Sequence, residues 1–237
     1  MSTYSKYKNV SLGNDCRLGD FSIIGMPPRN VEDGELATVL GDRVEIQSHV
    51  IINAGNTFGD DCTIGHGTYL RHNNKIGNRV VIGPHNTIEW SNEIEDDVTI
   101  ETHSGVAEHT FVGRGTLIGA QASMASVLHP LCSKAKECTK GPHFERAVTV
   151  GPGAVIFPAV RIGEGAYVEP NTVVMRDVKP FTVVSGRYGR AIGSIFDLYP
   201  QLLKRIEPYT NLQEINVKRS QYEFDKRESL FPAQALT

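Results

Sequence analysis

Apolar residues recur at every sixth position along most of this chain. Stepping by six from Leu40 meets Ile46, Ile52, Phe58, Ile64, Leu70, Ile76, Ile82, Ile88, Ile94, Ile100, Val106, Val112, Ile118 and Met124, and all fifteen positions are apolar. Apolar residues make up 40% of the chain, so chance does not sustain such a run. The next residue is often Gly, and the residue four places on is small or β-branched, as at Val44, Cys62, Thr68, Val80 and Ala122. A six-residue period marks a parallel β-helix, in which each hexad supplies one short strand. Leu12, Leu18 and Ile24 continue the pattern upstream, and Phe144, Val150, Ile156, Ile162, Val168 and Val174 resume it downstream. No helical period competes over this stretch. The pattern breaks near 26–38 and near 126–143.

Three hexads per coil would give an 18-residue turn with three flat faces. Sorting by 18 gives a first face of Ile46, Ile64, Ile82, Ile100 and Ile118. The second holds Leu40, Phe58, Ile76, Ile94 and Val112, and the third Ile52, Leu70, Ile88, Val106 and Met124. On the first two faces the residue after the apolar position is mostly Gly, as at Gly41, Gly59, Gly65, Gly77 and Gly83. On the third it is Asn53, Arg71, Glu89, Ala107 and Ala125, never Gly. A repeat departs from its own rule most often where function sits. The competing explanation is a corner that packs on a neighbouring subunit.

Columns 18 apart sharpen the third face. Asn56, Asn74 and Asn92 form an inward ladder with a structural role. His72, Trp90 and Glu108 form one outer column, and Asn73, Ser91 and His109 another. His85 and His103 stack on a different face, with His49 further along. Imidazole accepts a proton near neutral pH, which makes a histidine the natural candidate base.

The chain resembles the left-handed β-helix, hexapeptide-repeat acyltransferases from roughly Val10 to Ile192. The resemblance implies an all-β, left-handed parallel β-helix of about eight coils over 1–192. It also implies a homotrimer with active sites in the clefts between subunits. The family's base is commonly a His at the third hexad position, five residues before a repeat Gly. Leu70-Arg71-His72-Asn73-Asn74-Lys75-Ile76-Gly77 has that spacing. His72 is therefore the first candidate base. His109, beside Glu108, and His66, at a third position on the first face, are the alternatives. Arg71, Asn73, Trp90 and Glu108 are candidate substrate contacts.

The sequence "VMRDVKPFTVVSGRYGRAIG" is similar to the family's terminal motif, a strand followed by Gly-Asn-Pro-Ala-Lys, with Gly186 to Arg190 in those places and no Pro. Lys179, Arg187 and Arg190 are thereby expected to meet the phosphates of acetyl-CoA. "SIFDLYPQLLKRI" reads as a short amphipathic helix, and 193–237 as a C-terminal helix and tail. The 126–143 insertion holds His129, Cys132, Cys138 and His143, with Lys134, Lys136 and Lys140 among them. His129, Cys132 and Cys138 could clip a structural zinc, although their spacing matches no standard finger. Two free thiols in a loop are the alternative.

Bulk properties narrow the function classes. The formal charge of −3 over 237 residues gives no broad basic field for nucleic acid. No apolar run is long enough to cross a bilayer. The N-terminal "MSTYSKYKNV" has no apolar signal-peptide core, so a soluble cytoplasmic protein is expected. Four Cys in a chain this long suggest no disulfide framework. The leading expectation is an acetyl-CoA-dependent acetyltransferase that N-acetylates a nucleotide-linked amino sugar for surface polysaccharide, as loops such as "GMPPRNVEDGE" suggest by resemblance. A sugar O-acetyltransferase is the alternative within the class. A γ-type carbonic anhydrase-like enzyme, a resemblance that implies zinc held by His from two subunits and invites comparison with His66, His103 and His109, is the alternative outside it; that family's last two His are five apart and these are six apart. A non-catalytic scaffold is a third, and no face is Thr-rich enough for ice binding.

Overall fold

The computed structural model describes residues 3–131 and 133–209. Cys132 and the tail beyond Tyr209 lie outside the described residues. Every position of the six-residue series from Leu40 to Met124 is buried. Each sits in a two- or three-residue strand whose other side chain faces outward, the alternation a strand imposes. The strands fall into three sheets of eight to ten, one per face of a three-sided parallel β-helix. Register repeats by 18: Tyr69 pairs with Thr87 and Leu70 with Ile88 on the third face, and Val81 with Thr99 on the first. One contiguous apolar core therefore runs from Ile24 to Val184 inside the prism.

Corners are closed by single residues in the left-handed region, such as Asp97 (φ 61°), His85 (φ 55°), Asn73 (φ 62°) and Gly67 (φ 66°). The Gly after each apolar residue has a separate cause. A Cβ on Gly65 would lie 2.4 Å from the Gly83 carbonyl carbon in the next coil, and one on Gly41 2.6 Å from that of Gly59. Coils at these two corners approach too closely for side chains at that position. Where the third face turns into the second, the chain instead carries Asn53, Arg71, Glu89, Ala107 and Ala125.

Both long loops leave from that same edge. The first connects Ile23–Met26 of the third face to Thr38–Leu40 of the second. The second connects Ser123–Met124 to His143–Phe144 and contains a 3-10 turn, Ala135–Cys138. Backbone bonds from Lys140 N to Ser126 O (2.8 Å) and from Ala159 N to Lys140 O (3.0 Å) tie its base to the coils.

The Asn ladder is present. The Asn74 backbone N–H donates to Asn56 Oδ1 (2.9 Å) and that of Asn92 to Asn74 Oδ1 (2.9 Å). A second ladder at the first-to-third edge runs from Thr68 through Asn86 to Ser104, whose N–H donates to Asn86 Oδ1 (2.6 Å). Cys62 is buried and inward, and Cys16 is half-buried beside the core.

The C-terminal segment corrects one expectation. "SIFDLYPQLLKRI" is not one helix but α1 (Ile195–Leu198) and α2 (Leu203–Ile206), joined by a 3-10 turn. Pro200 has no N–H to bond back and biases Tyr199 (φ −138°) out of helical geometry. Ile195 and Ile206 still bury themselves, against Phe181, Val183 and Ala147 on the outside of the first face. The last strand, Arg190–Ser194, pairs antiparallel with Thr182–Ser185, so the β-body runs past residue 192. Among the described residues no helix is long and apolar enough to cross a membrane.

Candidate active site

The edge that lacks Gly stacks two dipeptides in register. Arg71-His72 lies directly beside Glu89-Trp90, one coil on. Arg71 donates to Glu89 Oε2 at 2.7 Å, and its guanidinium carbon sits 4.2 Å from the centre of the Trp90 ring. The His72 ring stacks on Trp90 at 5.9 Å and 16°. Backbone bonds hold the register, from Ser91 N to His72 O (3.1 Å) and from His109 N to Trp90 O (3.2 Å). Beyond Trp90 opens a shallow groove of about 370 Å³, lined by Thr87, Glu89, Gly105, Glu108, Met124 and Val127 among others. Its floor is open at Gly105, where an added Cβ would meet nothing within 4 Å.

Burial, and next the Arg71 guanidinium, hold the His72 imidazole below its usual range, while Glu89 pulls the other way. Burial and the guanidinium both favour the uncharged imidazole. His72 Nδ1 is buried without a hydrogen-bond partner among the described residues, and so is Asn53 Oδ1 one coil back. A half-buried imidazole beside a groove edged by Glu89 can serve as a general base.

The other expected site residues scatter. Asn73 and His109 are exposed left-handed corner residues on the same edge, and Glu108 borders the groove. His66 lies across the third face on the opposite edge. There it joins a ring column with His49 (5.1 Å), His85 (5.2 Å) and, through His85, His103 (5.0 Å). Its Nδ1 meets Ser48 Oγ at 2.9 Å. His66 and His103 thus share one edge while His109 sits on the other, so a zinc triad does not form within one chain. Lys179 precedes the strand Thr182–Ser185, Arg187 and Arg190 follow it, and all three are exposed. His129 and Cys138 are exposed. Among the described residues, no three His, Cys, Asp or Glu side chains group to hold a metal ion. The loop zinc thus finds no support, with Cys132 outside the described residues.

Glu89 stands on the Gly-less face but was not among the expected site residues. Its signal was its place in register with Arg71, an opposite charge 18 residues away.

Comparison with solved structures accounts for the architecture. UDP-N-acetylglucosamine O-acyltransferase from Moraxella catarrhalis superposes with a TM-score of 0.57 at 15% identity, covering 98% of this chain and 86% of that one. The Francisella novicida UDP-N-acetylglucosamine acyltransferase gives 0.53 at 15% identity, covering 93% and 78%. The fold is the left-handed β-helix of the hexapeptide-repeat acyltransferases. No family model matches the chain. A Schizosaccharomyces pombe protein whose name assigns it provisionally to the acetyltransferases is 28% identical over 88 residues, 35% of this chain. The match spans 42% of that relative's length.

Proposed function

We propose that the protein is an acetyl-CoA-dependent acetyltransferase with His72 as general base. The observation that carries this is the half-buried His72 stacked on Trp90, on the one edge that gives up its Gly and emits both long loops. The likeness to acyltransferases in fold, and to the fission-yeast relative in sequence, supports the reaction class. An acceptor amine or hydroxyl approaches along the groove beside Glu89 and Glu108. It loses its proton to His72 as its nitrogen or oxygen bonds to the acetyl carbonyl carbon of the thioester. The C–S bond then breaks and coenzyme A leaves as the thiol, with a backbone N–H holding the oxyanion formed on the way.

The preferred acceptor is a nucleotide-linked amino sugar, giving a role in surface polysaccharide synthesis, with the Glu108 carboxylate on the groove wall suited to an amino group. The reading places the enzyme in the cytoplasm as a homotrimer. Lys179 of one subunit and Arg187 and Arg190 of a neighbour would meet the cofactor's phosphates across the cleft. The test is a screen of thiol release from acetyl-CoA against amino-sugar nucleotides and their N-acetylated, hydroxyl-only counterparts. Release with amines alone supports the reading. Release with the hydroxyl compounds alone redirects it to O-acetylation, and release with none refutes it.

A further inference from the structure

Arg71 and Trp90 look at first like substrate contacts, yet each is already engaged by its own chain. Glu89 holds the Arg71 guanidinium at 2.7 Å, and the guanidinium covers the Trp90 ring at 4.2 Å. Trp90 in turn stacks on His72 with nearly parallel rings. We propose that Glu89, Arg71 and Trp90 form a clamp that positions the His72 ring and sets its charge environment, rather than a surface that binds the acceptor. The proposal rests on the reading of His72 as base for its catalytic consequence, but the clamp itself stands on these contacts.

Successive coils sit about 4.8 Å apart, so side chains in register at one corner meet without choice. Side chains long enough to interact then lock one another's rotamers, which a lone imidazole on a corner cannot achieve. A guanidinium over an indole is a favourable stack, stronger when partly desolvated. The charges that face His72 are few. Arg71 precedes it, Glu89 lies one coil on, and Glu108 and His109 lie two coils on. The coil before offers Asn53, Ala54 and Gly55, which carry none. The state of the Arg71–Glu89 pair therefore dominates the field at the ring.

The test reads His72 without relying on turnover. Diethylpyrocarbonate acylates neutral imidazole, so its rate at His72 across pH, resolved by peptide mass spectrometry, reports where that ring gains its proton. Glu89→Gln leaves Arg71 uncompensated, and the midpoint should move to lower pH. Arg71→Gln removes the cation, and the midpoint should move to higher pH. Arg71→Lys keeps the charge and should restore most of the difference. Trp90→Ala should lower kcat on the order of ten- to hundredfold through a loosened base, with KM for the acceptor little changed. Midpoints that do not move in either charge variant, or a Trp90→Ala variant that raises KM alone, would overturn the clamp. Circular dichroism confirms that each variant folds, and Arg71→Lys keeps the test alive if Arg71→Gln does not. Should no acceptor be acetylated at all, the proposed function fails while the His72 titration still decides the clamp.

Discussion

Replacing Asn74 by Ala should destabilise the protein by roughly 2–4 kcal/mol. The sum comes from two bonds. Asn74 Oδ1 accepts the Asn92 backbone N–H at 2.9 Å, inside the prism where Asn92 is buried. Without it a buried donor is orphaned, which costs about 1–3 kcal/mol. Asn74 Nδ2 donates to Arg71 O at 2.8 Å, and losing that bond costs about 0.5–1.5 kcal/mol. The smaller figure applies because Arg71 O keeps its second donor, Asn56 Nδ2, at 2.8 Å. The assay is urea denaturation at fixed protein concentration, with the change read from the midpoint and m-value. Asn73→Gly is the control. It alters the exposed neighbour at a left-handed corner that Gly tolerates, and should stay within about 0.5 kcal/mol. An Asn74→Ala loss no larger than the control's would refute the ladder argument, because water would then be reaching Asn92.

Three further outcomes follow from the same geometry. Gly65→Ala should cost well over 1 kcal/mol in thermal or urea denaturation, since its Cβ meets the next coil's backbone at 2.4 Å; Gly105→Ala, with open space, should not destabilise but should alter acceptor KM. Both His72 and His143 are held below the usual imidazole range, chiefly by burial, with Arg71 and Arg161 adding to it. The unfolded chain therefore binds more protons below about pH 6.5, and stability should fall as pH drops through that value and level off below the folded values. A His72→Gln, His143→Gln double variant should show a shallower acid loss of melting temperature. Exposed Cys138 should react readily with a thiol reagent, whereas the Cys62 thiol, pushed up to about 11 by burial, should react only on unfolding.

Most of the architecture was legible because a β-helix writes its geometry locally. Each hexad faces the same interior, so Ile82 and Ile100 announce their coil without knowledge of any other. The Asn56–Asn74–Asn92 ladder and the inward Cys62 followed from the same register. What was not legible depended on irregular chain. The break at Tyr199-Pro200 turned one expected helix into two, because the proline's missing N–H outweighed a good apolar stripe. The first loop was visible as a gap, yet only the sheets show that it leaves from the edge that carries His72. The Thr68–Asn86–Ser104 ladder went unnoticed because its members change residue type at each coil. Glu89 was noted on the Gly-less face, but its pairing with Arg71 needed the register of the coils to be seen.

The most direct test of the central claim is a crystal structure with coenzyme A and an amino-sugar acceptor bound together. The expected result places the acceptor nitrogen about 2.6–3.2 Å from Nε2 of His72, or one water away, with the thiol sulfur beside it. An acceptor seated instead against the His49–His66–His85–His103 column, on the far edge of the third face, would contradict the account.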